Sequence, residues 1–116
     1  MQKDYRVYLE DMLEAARKIL SATSDVSFQR FSEDWLIRDA VMHNFVVLGA
    51  AARRLPDEYH ARFPGVPWRR IIGLRNRVVH EYNSLAGETL WDIIQTDVAQ
   101  LTTTISVILA ELQDGD

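Results

Sequence analysis

Apolar residues recur along this chain with the spacing of helices. Tyr5, Tyr8, Leu9, Met12, Leu13, Ala16, Ile19 and Leu20 follow i, i+3, i+4, i+7 steps, and Glu10, Asp11, Glu14, Arg17 and Lys18 fill the other side. That pattern predicts an amphipathic helix over about residues 3–21, interrupted by Ser21, Thr23, Ser24 and Asp25. A second stripe comprises Ile37, Val41, Phe45, Leu48, Ala52 and Leu55. Met42, Val46 and Val47 widen it, so this helix is expected to be buried on more than one side. Ser32 reads as its N-cap, with Glu33 and Asp34 behind it, and Pro56 as its stop. Residues 57–63 read as a short helical turn.

The third stripe is Trp68, Ile71, Ile72, Leu74, Val78 and Val79. Pro67 suits its first helical position, where a missing N–H has no partner to lose, and Asn83 and Ser84 suggest its end. The fourth stripe, Leu90, Ile94, Val98, Leu101, Ile105, Ile108 and Leu112, predicts a long helix over roughly residues 89–113. Thr89 and Asp92 form a weak capping pair at its start. No alternating strand pattern competes. The expected fold is all-α: an up-and-down bundle of four main helices plus a short connecting helix, in a single domain over residues 1–116.

Composition narrows the function classes. With 47% hydrophobic and 26% charged residues over 116 positions, the chain has enough apolar material for one core. Cys is absent, which excludes a disulfide scaffold, a thiolate metal site and a cysteine nucleophile, and fits a reducing cytoplasm. No apolar run approaches the roughly 20 residues of a membrane helix, and acids stand where a signal peptide would have its apolar stretch. A cytoplasmic protein without membrane contact is therefore expected.

The net charge of −4 is unevenly distributed. Residues 53–77 carry seven Arg and two acids, whereas residues 78–116 carry seven acids and no base. A globally basic, RNA-coating protein is excluded, but a local Arg-rich site is not.

The chemistry concentrates in residues 68–82, where Arg75 is followed by His80 and Tyr82. These side chains suit phosphodiester cleavage without a metal. Arg neutralises a phosphate and the charge of its transition state. His moves protons near neutral pH, and Tyr hydrogen-bonds, stacks on a base or accepts a modification. At ~100° per residue, Arg75 and Tyr82 are nearly aligned, but His80 lies about 140° from Arg75. Either the helix ends near His80 and frees its ring, or two chains pool residues across a twofold axis. On these three residues alone, a helix-capping His, a solvated Arg and a core Tyr are the simpler reading.

Other candidates are weaker. His43 reads as a core or interface residue and His60 as an exposed loop residue. The three His have no metal-ligand spacing, and neither a metal nor a cofactor is expected. Gly49 and Gly73 fit close helix packing, with no Gly-rich phosphate loop nearby. Arg69, Arg70 and Arg77 are candidates for an RNA-facing rim around Arg75.

The stretch as a whole resembles the HEPN superfamily, and within it the HepT-like toxins, whose signature Arg-x4-His-x-Tyr reads here as Arg75 through His80 to Tyr82. Asn76 directly after the Arg, Pro64-Gly65-Val66-Pro67-Trp68 upstream, Leu48-Gly49-Ala50-Ala51 on the second helix and Trp91 also look like the family. The resemblance implies a homodimeric, metal-independent ribonuclease toxin with two motifs facing one cleft. It implies Arg75 and His80 as the catalytic pair, Asn76 as their support and RNA as the substrate. It further implies a minimal nucleotidyltransferase as antitoxin, transferring AMP from ATP to Tyr82. One departure is Ala50, where relatives commonly carry an acid; Asp39 is a candidate to compensate. That departure leaves an alternative open: a non-enzymatic, helical, nucleotide-binding partner subunit of the nucleotidyltransferase.

Overall fold

In a computed structural model the described residues, 4–115, form helices joined by short turns, with no strand among them. The long elements are α1 (Arg6–Thr23), α3 (Trp35–Arg54), α5 (Trp68–His80) and a C-terminal run. That run comprises α6 (Gly87–Ile93), a π-helical segment (Ile94–Val98) and α7 (Ala99–Gly115). Two short helices, α2 (Phe28–Glu33) and α4 (Asp57–Arg62), lie in the connections. The all-α bundle of four main helices is therefore present, with one more short helix than the sequence pattern predicts. The expected start of the first helix at residue 3 lies outside the described residues.

The cap of the second main helix is corrected by two residues. Ser32 sits inside α2, its hydroxyl donating back to the Phe28 carbonyl at 2.9 Å. Asp34 caps α3 instead, its Oδ1 accepting from the Leu36 and Ile37 amides at 3.1 and 3.4 Å. The break between α2 and α3 has a local cause. The Ser27 hydroxyl caps α2 by accepting from the Arg30 amide, and Asp34 opens a new helix only seven residues later. Asp34→Ala is expected to cost about 1 kcal/mol, because two amide donors lose their side-chain acceptor. A chemical denaturation midpoint equal to wild type would show the cap to be dispensable.

Two other ends shift. Pro67 precedes α5 rather than opening it, and α5 stops at His80, before Asn83 and Ser84. The C-terminal run begins at Gly87, so Thr89 lies within the helix and caps nothing.

The core is one cluster of buried side chains contributed by all the long helices, including Leu9, Met12, Phe45, Leu74, Leu90 and Ile105. α1 packs on α3 and α7, while α5 packs chiefly on α3. α2 docks through Phe31, which is fully buried and lies 5.3 Å from the Trp91 ring. By length and mean hydropathy (1.3) the helix Gly87–Gln113 could cross a membrane, although the sequence pattern shows no such run. Its buried residues instead form a single stripe, Leu90 through Leu112, turned into the core.

The π segment follows from the spacing of that stripe. Leu90, Ile94 and Val98 advance by two steps of four residues, which overshoot an α-helical face by about 80°. A π turn, with its i→i+5 bonding, winds more slowly and takes up part of that drift. Ile94 and Val98 both remain buried.

Candidate active site

The site begins with a close approach of two helices. Gly49 on α3 lies directly under Arg75 on α5: a Cβ at Gly49 would stand 2.2 Å from Arg75 Cβ and 3.1 Å from the Ile71 carbonyl oxygen. Only a residue without a side chain admits Arg75 at this distance. Arg75 is half-buried as a result, and its Nη1 donates to Asn76 Oδ1 at 3.0 Å. Its Nε is buried and has no hydrogen-bond partner. A buried donor without an acceptor costs ~1–3 kcal/mol, more when charged, so this guanidinium carries one unspent donor. Ala50, beside Gly49, has no polar group to offer it.

His80 is the last residue of α5 and is exposed. The chain leaves helical geometry at Glu81 (φ −125°, ψ 30°), so no further helical turn confines the ring. The helix thus ends at His80, as the first of the two geometric solutions requires. His80 remains about 140° from Arg75 around the helix axis.

Tyr82 lies beyond the helix and is 42% exposed, so it is not a core residue. Its hydroxyl donates to Asp39 Oδ1 on α3. On the same helix Arg38 Nη2 donates to the Leu85 carbonyl, and its guanidinium passes over Gly87. Arg38 and Asp39 thus tie the segment after His80 to the second turn of α3. Sequence spacing gives no signal for this tie beyond an Arg-Asp pair within a mostly apolar helix.

The Asp39 carboxylate, by accepting the phenol proton, raises the Tyr82 pKa above its ordinary value of 10.0; slight burial and the Asp39 charge act in the same direction, and Arg38 opposes them. A raised folded-state value means that the bond adds stability below the unfolded tyrosine pKa. The contribution is lost as pH rises through the folded value. Unfolding curves of wild type and Tyr82→Phe should therefore differ at neutral pH and converge at strongly alkaline pH. A difference independent of pH would deny the hydrogen bond.

The rim arginines fall elsewhere. Arg70 pairs with Asp97 at 2.6 Å and Arg77 with Glu81 at 3.5 Å. Arg70 and Arg77 line a cavity of about 640 Å³ between α5 and the C-terminal run, floored by Phe45, Leu48, Leu74 and Leu101. Arg75, Asn76, His80 and Tyr82 do not line it. In one chain, therefore, Arg70 and Arg77 point to a different flank of α5 from Arg75, and Arg69 is exposed.

The remaining His are reassigned. His43 is exposed on α3, not in the core. His60 is half-buried on α4, not in an exposed loop; it stacks on Trp68 with centroids 4.4 Å apart, and its Nε2 lies 2.9 Å from the Ala52 carbonyl. Trp68 Nε1 donates to the Phe63 carbonyl, fixing the Pro-Gly turn ahead of α5. Among the described residues no group of His, Asp and Glu is arranged to hold a metal ion.

Comparison with known proteins identifies the family. The family described as "Ribonuclease HepT-like" matches residues 12–108. Two relatives from Methanocaldococcus jannaschii are similar along nearly their whole length. "Putative RNase MJ1380" is 30% identical over 92% of this chain and 98% of its own. "Putative RNase MJ0127" is 31% identical over 99% and 95%. "Probable ribonuclease HepT" from Thermococcus cleftensis is 28% identical over 87% of this chain and 92% of its own. No solved structure matches the chain. The bundle, the Arg75–His80–Tyr82 segment seated on α3 and these similarities place the chain in the HepT-like ribonuclease family of the HEPN superfamily.

Proposed function

We propose that this ribonuclease is a metal-independent endonuclease toxin that cuts RNA as a cytoplasmic homodimer. A minimal nucleotidyltransferase silences it by transferring AMP to Tyr82. The observation that carries this reading is Arg75: its stem is pressed onto Gly49, and its guanidinium is bonded to Asn76 and left with a buried, unpartnered Nε. Such a group fits the charge of a phosphodiester transition state. His80, exposed at the end of the same helix, moves the protons. It takes one from the ribose 2′-hydroxyl and supplies one to the leaving 5′-oxygen.

The dimer is supported by exposed apolar surface beside the motif. Trp35 and Leu36 in the first turn of α3 are 67% and 63% exposed, and Val79 on the last turn of α5 is 46% exposed. The Tyr82–Asp39 bond joins these two helix ends. Apolar surface of this kind at the ends of two neighbouring helices fits an interface. Pairing there would bring Arg75 of one chain within reach of His80 of its twin, across the offset that one helix imposes.

The test is the purified protein on a defined RNA in excess chelator. Products ending in 2′,3′-cyclic phosphate or 3′-phosphate are expected, and DNA of the same sequence, which lacks the nucleophile, should survive. Equal cutting of DNA, or no cutting of RNA without added metal, would overturn the mechanism. RNA left intact under every condition would favour the nucleotide-binding subunit instead.

A further inference from the structure

Tyr82 is a partly exposed residue, yet its hydroxyl is directed onto a carboxylate of another helix. An exposed phenol needs no protein partner. The pairing therefore calls for a reason other than hydrogen-bond satisfaction. The nearest alternatives are otherwise placed. Glu81 is engaged with Arg77, and the Arg38 guanidinium holds the Leu85 carbonyl. His43 is one helical turn beyond Asp39 and is exposed, as is His80, two residues before Tyr82. Tyr5, Tyr8 and Tyr59, by contrast, pack on one another at the other end of the chain's helices, with Tyr5 ring centroids 6.2 and 5.4 Å from those of Tyr8 and Tyr59.

We infer that Asp39 is the general base for nucleotidyl transfer to Tyr82, supplied by the acceptor chain itself rather than by the transferase. This rests on Tyr82 being the AMP acceptor. In the step, Tyr82 Oη attacks the α-phosphorus of ATP. The Oη–P bond forms, the bond from that phosphorus to the pyrophosphate oxygen breaks, and pyrophosphate leaves with the electron pair. The phenol proton passes along the existing hydrogen bond to Asp39 Oδ1. A carboxylate is a weak base towards a free phenol, but the proton becomes acidic as the oxygen bonds to phosphorus. A hydroxyl acceptor held on an Asp is also how phosphoryl transfer to proteins is arranged. The geometry also selects the acceptor, because the carboxylate that activates it belongs to α3 and reaches Tyr82 only in the folded chain.

The experiment measures initial rates of AMP transfer from ATP, catalysed by the cognate nucleotidyltransferase, with the modified peptide mapped by mass. Wild type, Asp39→Asn, Asp39→Glu and Tyr82→Phe are compared across pH 6 to 9 as full-length chains, with thermal unfolding recorded for each. Asn keeps the size and can still accept the hydrogen bond, but cannot take the proton. Asp39→Asn is expected to slow transfer by about 10²–10⁴-fold. Its rate should climb with pH as ionised phenol replaces the missing base, while the wild-type rate stays flat. Asp39→Glu should recover part of the loss. Transfer to Asp39→Asn at the wild-type rate and with the wild-type pH profile would overturn the inference while leaving Tyr82 as acceptor. AMP on another residue, or none on wild type with an active transferase, would overturn the acceptor assignment and this inference with it.

Discussion

Adding a single methyl group at Gly49 is expected to force α5 away from α3 and to cut RNA cleavage about 100-fold. The new Cβ would meet Arg75 Cβ at 2.2 Å, Arg75 Cγ at 2.8 Å and the Ile71 carbonyl at 3.1 Å. None of these atoms is the free end of a flexible side chain, so the clash is relieved only by moving the α5 backbone. Overpacking of this kind costs ~1–3 kcal/mol, with the upper part of the range expected here. The melting temperature should fall by about 4 °C for each kcal/mol lost in a chain of this size. Activity should suffer more than stability, since a displacement near 1 Å can cost about 10²-fold when it moves a group that must meet a transition state. Gly73→Ala, on the same helix, is the control. A Cβ there meets nothing within 4 Å, and replacing a helical Gly by Ala stabilises by ~0.4–1 kcal/mol. A Gly49→Ala protein that melts with wild type and cuts RNA normally would show that Arg75 is not seated as described.

This contrast shows how far the sequence pattern reaches. Periodicity places Gly49 and Gly73 on helices and suggests close packing for both. It cannot tell which one faces another backbone, because that depends on the crossing of α3 and α5. The same limit applies to Tyr82 and Asp39, which are far apart in sequence. Their bond requires the turn after His80 to fold back over α3, and no local spacing encodes that. The long apolar stripes were legible because each is local to one helix and burial acts on each turn. α2 was not legible. Six residues are too few for a period, and its stop is written only in the capping choice between Ser32 and Asp34. The candidate catalytic segment was legible as residue types at a motif's spacing. Its electrostatics were not: the arginines next to Arg75 in sequence turn to the other flank of α5, where Asp97 and Glu81 occupy two of them. Within one chain, what Arg75 shares with its neighbourhood is Asn76 and the α3 surface rather than a basic rim. A composite rim would have to be assembled from two chains.

Loss of the Arg75 guanidinium and loss of the His80 imidazole are expected to be among the largest functional effects of single substitutions. Arg75→Ala removes the donors proposed to meet the phosphate, an effect of about 10²–10³-fold in kcat for one preorganised donor. Arg75→Lys should recover little, because an ammonium on a flexible stem lacks the fork that meets two oxygens and cannot reproduce both Nη1 on Asn76 and the free Nε. His80→Ala should cost about 10²–10⁴-fold through lost proton transfer. His80→Ala should leave the melting temperature near that of wild type, since His80 is exposed, and Arg75→Ala should lower it only modestly, since the Cβ that packs on Gly49 is kept. The two variants then test the dimer. If the cleft pairs Arg75 of one chain with His80 of the other, an Arg75→Ala chain still offers His80 and a His80→Ala chain still offers Arg75. Unfolding and refolding the two inactive proteins together should therefore restore cleavage to a measurable fraction of wild type, while refolding either alone restores none. Failure to complement, with mixed dimers demonstrated by mass, would place both groups of each site in one chain. The ring of His80 would then have to cover the 140° to Arg75 by leaving its helical position, a movement that the chain's departure from helix at Glu81 permits.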